Sequence, residues 1–69
     1  MSQILFEGTP EQMNELMACI NANRGDKGAL MPVLHEAQNI YGYLPAEVQT
    51  VIAEELNIPL AEVYGVATF

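Results

Sequence analysis

The spacing of apolar residues along the chain predicts helices joined by short polar turns. Thr9 is suited to cap a helix, Pro10 to occupy its first position, and Gln12 to complete a capping box with Thr9. The first helix is therefore predicted over about residues 10–23, with a stop at residues 23–25. Its apolar face recurs at the helical period and consists of Met13, Leu16, Met17 and Ile20.

Two further helices follow the same logic. The second is predicted after the turn at residues 26–28; Pro32 must fall in its first turn, and Gly42 is a natural stop. Its apolar stripe comprises Leu30, Val33, Leu34, Ala37, Ile40 and Tyr41. The third is predicted over about residues 45–56 and ends at Asn57. Its predicted buried face consists of Val48, Val51, Ile52 and Leu56.

The fourth helix is incomplete in this pattern. Pro59 suits a first helical position, and the residues predicted on the inner side are Leu60, Val63 and Tyr64. The sequence stops at Phe69 inside an apolar run without a turn residue or a cap, which we interpret as a truncation. The expected fold class is all-α, a small antiparallel bundle of three helices plus a partial fourth. The expected domain organisation is a single helical domain over residues 1–69 that begins with a leader at residues 1–8.

Composition and charge narrow the classes of partner. Of the 69 residues, 51% are hydrophobic, which favours a folded core over disorder. Nine acidic residues against Arg24 and Lys27 give a net charge of −7, which disfavours nucleic acid and anionic membrane surfaces. The acidic surface serves either solubility or a basic partner. With neither a membrane-spanning run nor a signal peptide in the sequence, a cytoplasmic location is expected.

Candidate chemistry along the chain is sparse. Cys19 is the only cysteine, so we expect a small buried hydrophobe, with a reactive thiol as the alternative. His35 has no partners for a metal or nucleophile site and is expected at the surface. Glu54 and Glu55 point about 100° apart on a helix; Glu55 lies near the apolar stripe and either reaches solvent or contacts a partner. The methionines expected in the core rather than on an adaptable binding surface are Met13, Met17 and Met31.

Four segments carry a resemblance to a known family. These are LMPVLHEAQ at residues 30–38, YGYLP at 41–45, IAEELNIP at 52–59 and VYGVATF at 63–69. In this order and spacing they resemble the N-terminal part of the NuoE family, the thioredoxin-like 2Fe–2S subunits of bacterial complex I. Related subunits occur in NAD(P)-linked hydrogenases and some formate dehydrogenases, and the sequence leaves open which complex applies.

The resemblance implies a non-catalytic helical domain that precedes a cluster-binding domain. A 2Fe–2S cluster is expected in the full-length protein, whereas no cofactor, metal or catalytic residue is assigned to this chain. The implied partners are a flavin- and NAD(P)(H)-binding subunit and the chain's own cluster domain. The corner at residues 41–45 is either purely structural or a docking surface. The candidate contact residues are Tyr43, Glu55, Tyr64 and Phe69. The alternative is a free-standing acidic helical interaction module without a redox role.

Overall fold

The computed structural model describes residues 8–67, and every described element is a helix. The four helices are α1 (Pro10–Asn23), α2 (Leu30–Tyr41), α3 (Ala46–Leu56) and α4 (Leu60–Ala67). This confirms the predicted all-α bundle. The leader up to residue 7 and the candidate contact Phe69 lie outside the described residues.

The start of α1 is the predicted capping box. The Gln12 N–H donates to Thr9 Oγ1 at 3.1 Å, and the Thr9 N–H donates to Gln12 Oε1 at 2.8 Å. These two bonds satisfy backbone donors that the first turn of a helix leaves without partners. The side-chain Nε2 of Gln12 donates to the Ile40 carbonyl at 3.2 Å. The beginning of α1 therefore lies beside the end of α2, and the two helices are antiparallel.

The helix ends also follow local chemistry. Gly42 ends α2 with φ +84°, and Asn57 ends α3 with φ +58°. Glycine and asparagine are the residues that tolerate this left-handed conformation best. Pro45 and Pro59 each stand immediately before a helix rather than at its first position, a shift of one residue from the prediction.

The core lies between the facing stripes of the four helices. Its buried members are Leu16, Ile20, Val33, Leu34, Ala37, Val48, Ile52, Ala53 and Val63. Met13 and Met17 are half-buried against this cluster, in agreement with the predicted apolar face of α1. The contacts of α1 with α2, of α2 with α3 and of α3 with α4 give an up-and-down order, as short loops require.

Three apolar residues expected inside lie at the surface instead. Met31 is 56% exposed, because it occupies the same face of α2 as the exposed His35 and not the apolar stripe. On α4, Val63 is fully buried, but Leu60 is 48% and Tyr64 is 61% exposed. The short helix turns one narrow face to the core, and Leu60 and Tyr64, four residues apart, share the neighbouring face.

Candidate docking surface

A shallow apolar groove runs between α3 and α4. Its volume is about 360 Å³, and its lining residues are Ala46, Gln49, Thr50, Leu60, Ala61 and Tyr64. Three of these, Ala46, Thr50 and Ala61, have small side chains, so the two helices leave space between them along this side. The exposed parts of Leu60 and Tyr64 form the α4 wall of the groove.

Gln49 fixes the floor of the groove. Its side chain is only 8% exposed, and its Nε2 donates to the Leu44 carbonyl at 3.0 Å. This bond satisfies the amide nitrogen of a buried polar side chain and ties α3 to the preceding corner. The hydroxyl of the exposed Thr50 donates to the Ala46 carbonyl at 3.1 Å.

The corner at residues 41–45 precedes the groove directly. The Gly42 N–H donates to the Gln38 carbonyl at 2.7 Å as the last helical bond of α2, and the left-handed backbone of Gly42 then ends the helix. Tyr43 follows and is 62% exposed, while Leu44 packs against the core. The special backbone angle expected at Gly42 is therefore present, and Tyr43 lies at the surface three residues before the first groove residue.

Glu55 has an internal partner that the sequence analysis did not identify. Arg24 Nη2 lies 2.6 Å from Glu55 Oε1, and Arg24 Nη1 donates to the Glu55 carbonyl oxygen at 2.6 Å. The guanidinium also donates through Nε to Asn21 Oδ1 at 2.8 Å. A carboxylate at the end of a helix is unfavourable by itself, so the cation accounts for the position of Glu55. No local sequence signal predicts this pair, because the residues stand 31 positions apart.

The acidic surface flanks the groove on its α3 side. Glu47 and Glu54 are exposed and stand three residues before and four residues after Thr50, so all three share one face of the helix. Within residues 8–67 the Arg24–Glu55 contact is the one ion pair present, and neither of these flanking carboxylates takes part in it. The α3 face that Thr50 shares thus carries two carboxylates without an ion-pair partner among residues 8–67.

Cys19 and His35 do not form a reactive centre. Cys19 is half-buried in α1, where burial and then the charge of Glu36 raise the pKa of its thiol against a lowering contact from Asn23. His35 is exposed, as predicted. Across the part of the chain that the structure describes, no three metal-ligating side chains cluster. An iron–sulfur cluster takes four cysteine thiolates, so the residues of this chain do not fit one.

Comparisons with known proteins give a consistent result. A family model described as Thioredoxin-like [2Fe-2S] ferredoxin matches residues 13–69. The chain is 46% identical over 55 residues to the NADP-reducing hydrogenase subunit HndA of Solidesulfovibrio fructosivorans, covering 80% of this chain and 32% of that subunit. It is 39% identical over 64 residues to an NADH-quinone oxidoreductase subunit of Aquifex aeolicus (strain VF5), covering 93% of this chain and 40% of that subunit. The chain therefore spans less than half the length of either relative.

No helix within residues 8–67 is both long and apolar enough to cross a bilayer.

Proposed function

Because the chain belongs to the Thioredoxin-like [2Fe-2S] ferredoxin family, we propose that it is the helical docking domain of an electron-transfer subunit. In this proposal the subunit carries its 2Fe–2S cluster in a further domain and passes electrons between a flavoprotein and a quinone reductase or hydrogenase complex. The helical domain contributes position rather than chemistry. It holds the cluster domain against a flavin- and NAD(P)(H)-binding subunit.

The observation that carries the proposal is the combination of a family match over residues 13–69 with a single cysteine. A chain with one thiolate lacks the ligands that the family's cluster requires. What the described residues supply instead is a packed helical unit on which Leu60 and Tyr64 form an exposed apolar face of α4. A contiguous exposed apolar patch on a small domain is typical of a protein-binding surface.

The proposed contact residues are Tyr43, Glu55, Tyr64 and Phe69. Tyr43 and Tyr64 expose large amphipathic rings, the side-chain type most often found at the centre of protein interfaces. Glu55 forms an ion pair with Arg24, so in an interface the partner would contact the two paired side chains together. Phe69 stays a proposal from sequence alone.

The proposal is tested by binding to the flavin- and NAD(P)(H)-binding subunit from the same genome. Isothermal titration of that subunit with the 69-residue chain is expected to give a saturable one-to-one complex. Tyr43→Ser should weaken it about tenfold, as expected for an exposed aromatic contact, whereas His35→Ser, an exposed change elsewhere, should not. Absence of any complex would overturn the docking role.

The coding DNA after Phe69 provides an independent test. An open frame that supplies four cysteines fits the proposal, because those residues are what a 2Fe–2S cluster needs. A stop codon at that point would favour the free-standing acidic interaction module, and the electron-transfer role would fall.

A further inference from the structure

We propose that the groove between α3 and α4 receives a basic amphipathic helix of the partner protein, an inference that rests on the proposed docking role. The groove is walled by Leu60 and Tyr64 on α4 and by Ala46 and Thr50 on α3. A groove between two packed helices fits a third helix, whose apolar side chains at the i, i+3, i+4 and i+7 spacing fill it.

The shape of the groove determines the size of the apolar side chains that the occupant can insert. Ala46, Thr50 and Ala61 present small side chains on the floor and sides, so the volume of about 360 Å³ is available to side chains that enter from outside. Leucine-sized groups fill such a space, and burial of the exposed part of Leu60 then adds to the contact. The Nε2 of Gln49 already donates to the Leu44 carbonyl, so this side-chain amide is held in place at the floor of the groove.

The negative charge of α3 predicts basic residues along the edges of the bound helix. Glu47 and Glu54 share a helical face with Thr50, which lines the groove, and among the described residues neither has an ion pair. Lysine or arginine residues on the edges of the bound helix would lie beside these carboxylates. Such pairs favour the correct partner and speed its association more than they strengthen the complex.

The 69 residues contain no basic segment that fits this description. Residues 1–7, MSQILFE, contain apolar side chains but no lysine or arginine. A second copy carries the same net charge of −7, so two acidic surfaces would repel each other at this groove. The complementary occupant is therefore a basic segment from outside these 69 residues, and we place it in the partner protein.

The probe for this inference is a synthetic 14-residue helix with leucine on one face and lysine along both edges. Its matched control replaces every lysine by glutamate. Each peptide is added to the ¹⁵N-labelled 69-residue chain, and amide chemical shifts are followed. The lysine peptide is expected to shift the groove amides of Ala46, Thr50, Leu60, Ala61 and Tyr64, and the glutamate peptide to shift none of them.

Four variants distinguish binding of the peptide at the groove from binding to the acidic surface in general. Leu60→Ser should weaken binding of the lysine peptide about tenfold, while Met31→Ser, which removes an equally exposed apolar side chain on α2, should not. The double change Glu47→Gln and Glu54→Gln should weaken it about three- to tenfold. The control double change Glu11→Gln and Glu36→Gln, on α1 and α2, should leave it unchanged.

The inference fails if the shifts spread over the acidic residues of α1 and α2, or if both double changes weaken binding equally. Concentration-dependent shifts at the groove without peptide would also overturn it, in favour of a second copy as the occupant. If the flavoprotein subunit still binds the Leu60→Ser variant with unchanged affinity, the groove is not the docking site although the docking role holds. If the peptide binds the groove and that subunit does not bind at all, the docking role fails instead.

Discussion

Arg24 and Glu55 join the ends of two helices that are distant in sequence. The guanidinium contacts both the carboxylate and the backbone carbonyl of Glu55 at 2.6 Å, and so connects the last turn of α3 to the residue that caps α1. The carbonyl is one of those that the end of a helix leaves without an internal partner. This one side chain therefore sets the spacing of α1 and α3 at one end of the bundle.

Replacement of Arg24 by glutamine is expected to lower the free energy of unfolding by about 1 kcal/mol. The pair is partly exposed, which keeps its contribution small, and the bond to the Glu55 carbonyl adds to it. The measurement is urea unfolding of the variant and the wild-type chain. Since salt screens exposed charges, the difference should shrink in about 1 M NaCl.

Lys27→Gln is the matched control, because Lys27 is the other basic residue and is exposed. It should change stability by less than about 0.5 kcal/mol, the usual range for surface substitutions. Equal losses in the two variants would mean that net charge, and not the Arg24–Glu55 contact, controls stability.

A second prediction concerns the glycine that ends α2. Gly42→Ala should destabilise the chain by about 1 kcal/mol, because alanine is strained at the observed φ of +84°. The added Cβ meets no atom within 4 Å, so crowding does not contribute. Thermal unfolding followed by circular dichroism gives the difference.

The control is Gly28→Ala, at a glycine that also has open space around it but no left-handed backbone. This change should be neutral or slightly stabilising, since alanine restricts the unfolded chain. The prediction fails if both substitutions have the same effect.

A third prediction compares two apolar residues of similar size in opposite environments. Ile52→Ala should cost about 3 kcal/mol, because Ile52 is fully buried in the core and its removal leaves a cavity. Met31→Ala, at a side chain that is 56% exposed, should cost under about 0.5 kcal/mol. Urea unfolding checks both, and a large loss for Met31→Ala would contradict its observed position outside the core.

A fourth prediction follows from the raised pKa of the Cys19 thiol. Burial and the Glu36 carboxylate keep the thiol protonated in the folded chain at a pH where the unfolded chain already ionises. Stability linked to Cys19 is therefore complete below its ordinary pKa of 9.0 and is lost as the pH rises through the folded pKa. Urea midpoints measured from pH 7 to pH 10.5 should fall more steeply for the wild-type chain than for Cys19→Ala.

Tyr41 provides the background for that experiment, because burial and then Glu15 raise the pKa of its hydroxyl from 10.0. Its loss of stability at high pH is common to both proteins and cancels in the comparison. Alkylation gives a second measurement: at pH 8.5 iodoacetamide should modify Cys19 more slowly in the folded chain than in urea. Equal rates and parallel midpoints would contradict the raised pKa.

Much of the fold could be predicted from the sequence, because its signals are local. The capping box at Thr9, the stop at Gly42 and the helical spacing of apolar residues each depend on a few neighbouring positions, and all are present in the structure. The resemblance to the NuoE family was likewise confirmed by the family match and both relatives.

What the sequence could not predict depends on how the helices pack. The groove arises because small side chains on α3 face α4. In addition, Leu60 and Tyr64 on α4 lie beside the core instead of inside it. The prediction that Met31 lies in the core was wrong, because an apolar side chain need not be buried and Met31 lies on the polar face of α2. The pairing of Arg24 with Glu55 needed the three-dimensional arrangement of α1 and α3.

The double role of Gln12 has a consequence for local opening of the native chain. Its side chain accepts a bond from Thr9 at the start of α1 and donates one to the Ile40 carbonyl near the end of α2. Neither terminal turn can fray without disturbing the other. In hydrogen exchange these two turns, more than two dozen residues apart in sequence, should therefore open as one cooperative unit, with matched protection against solvent.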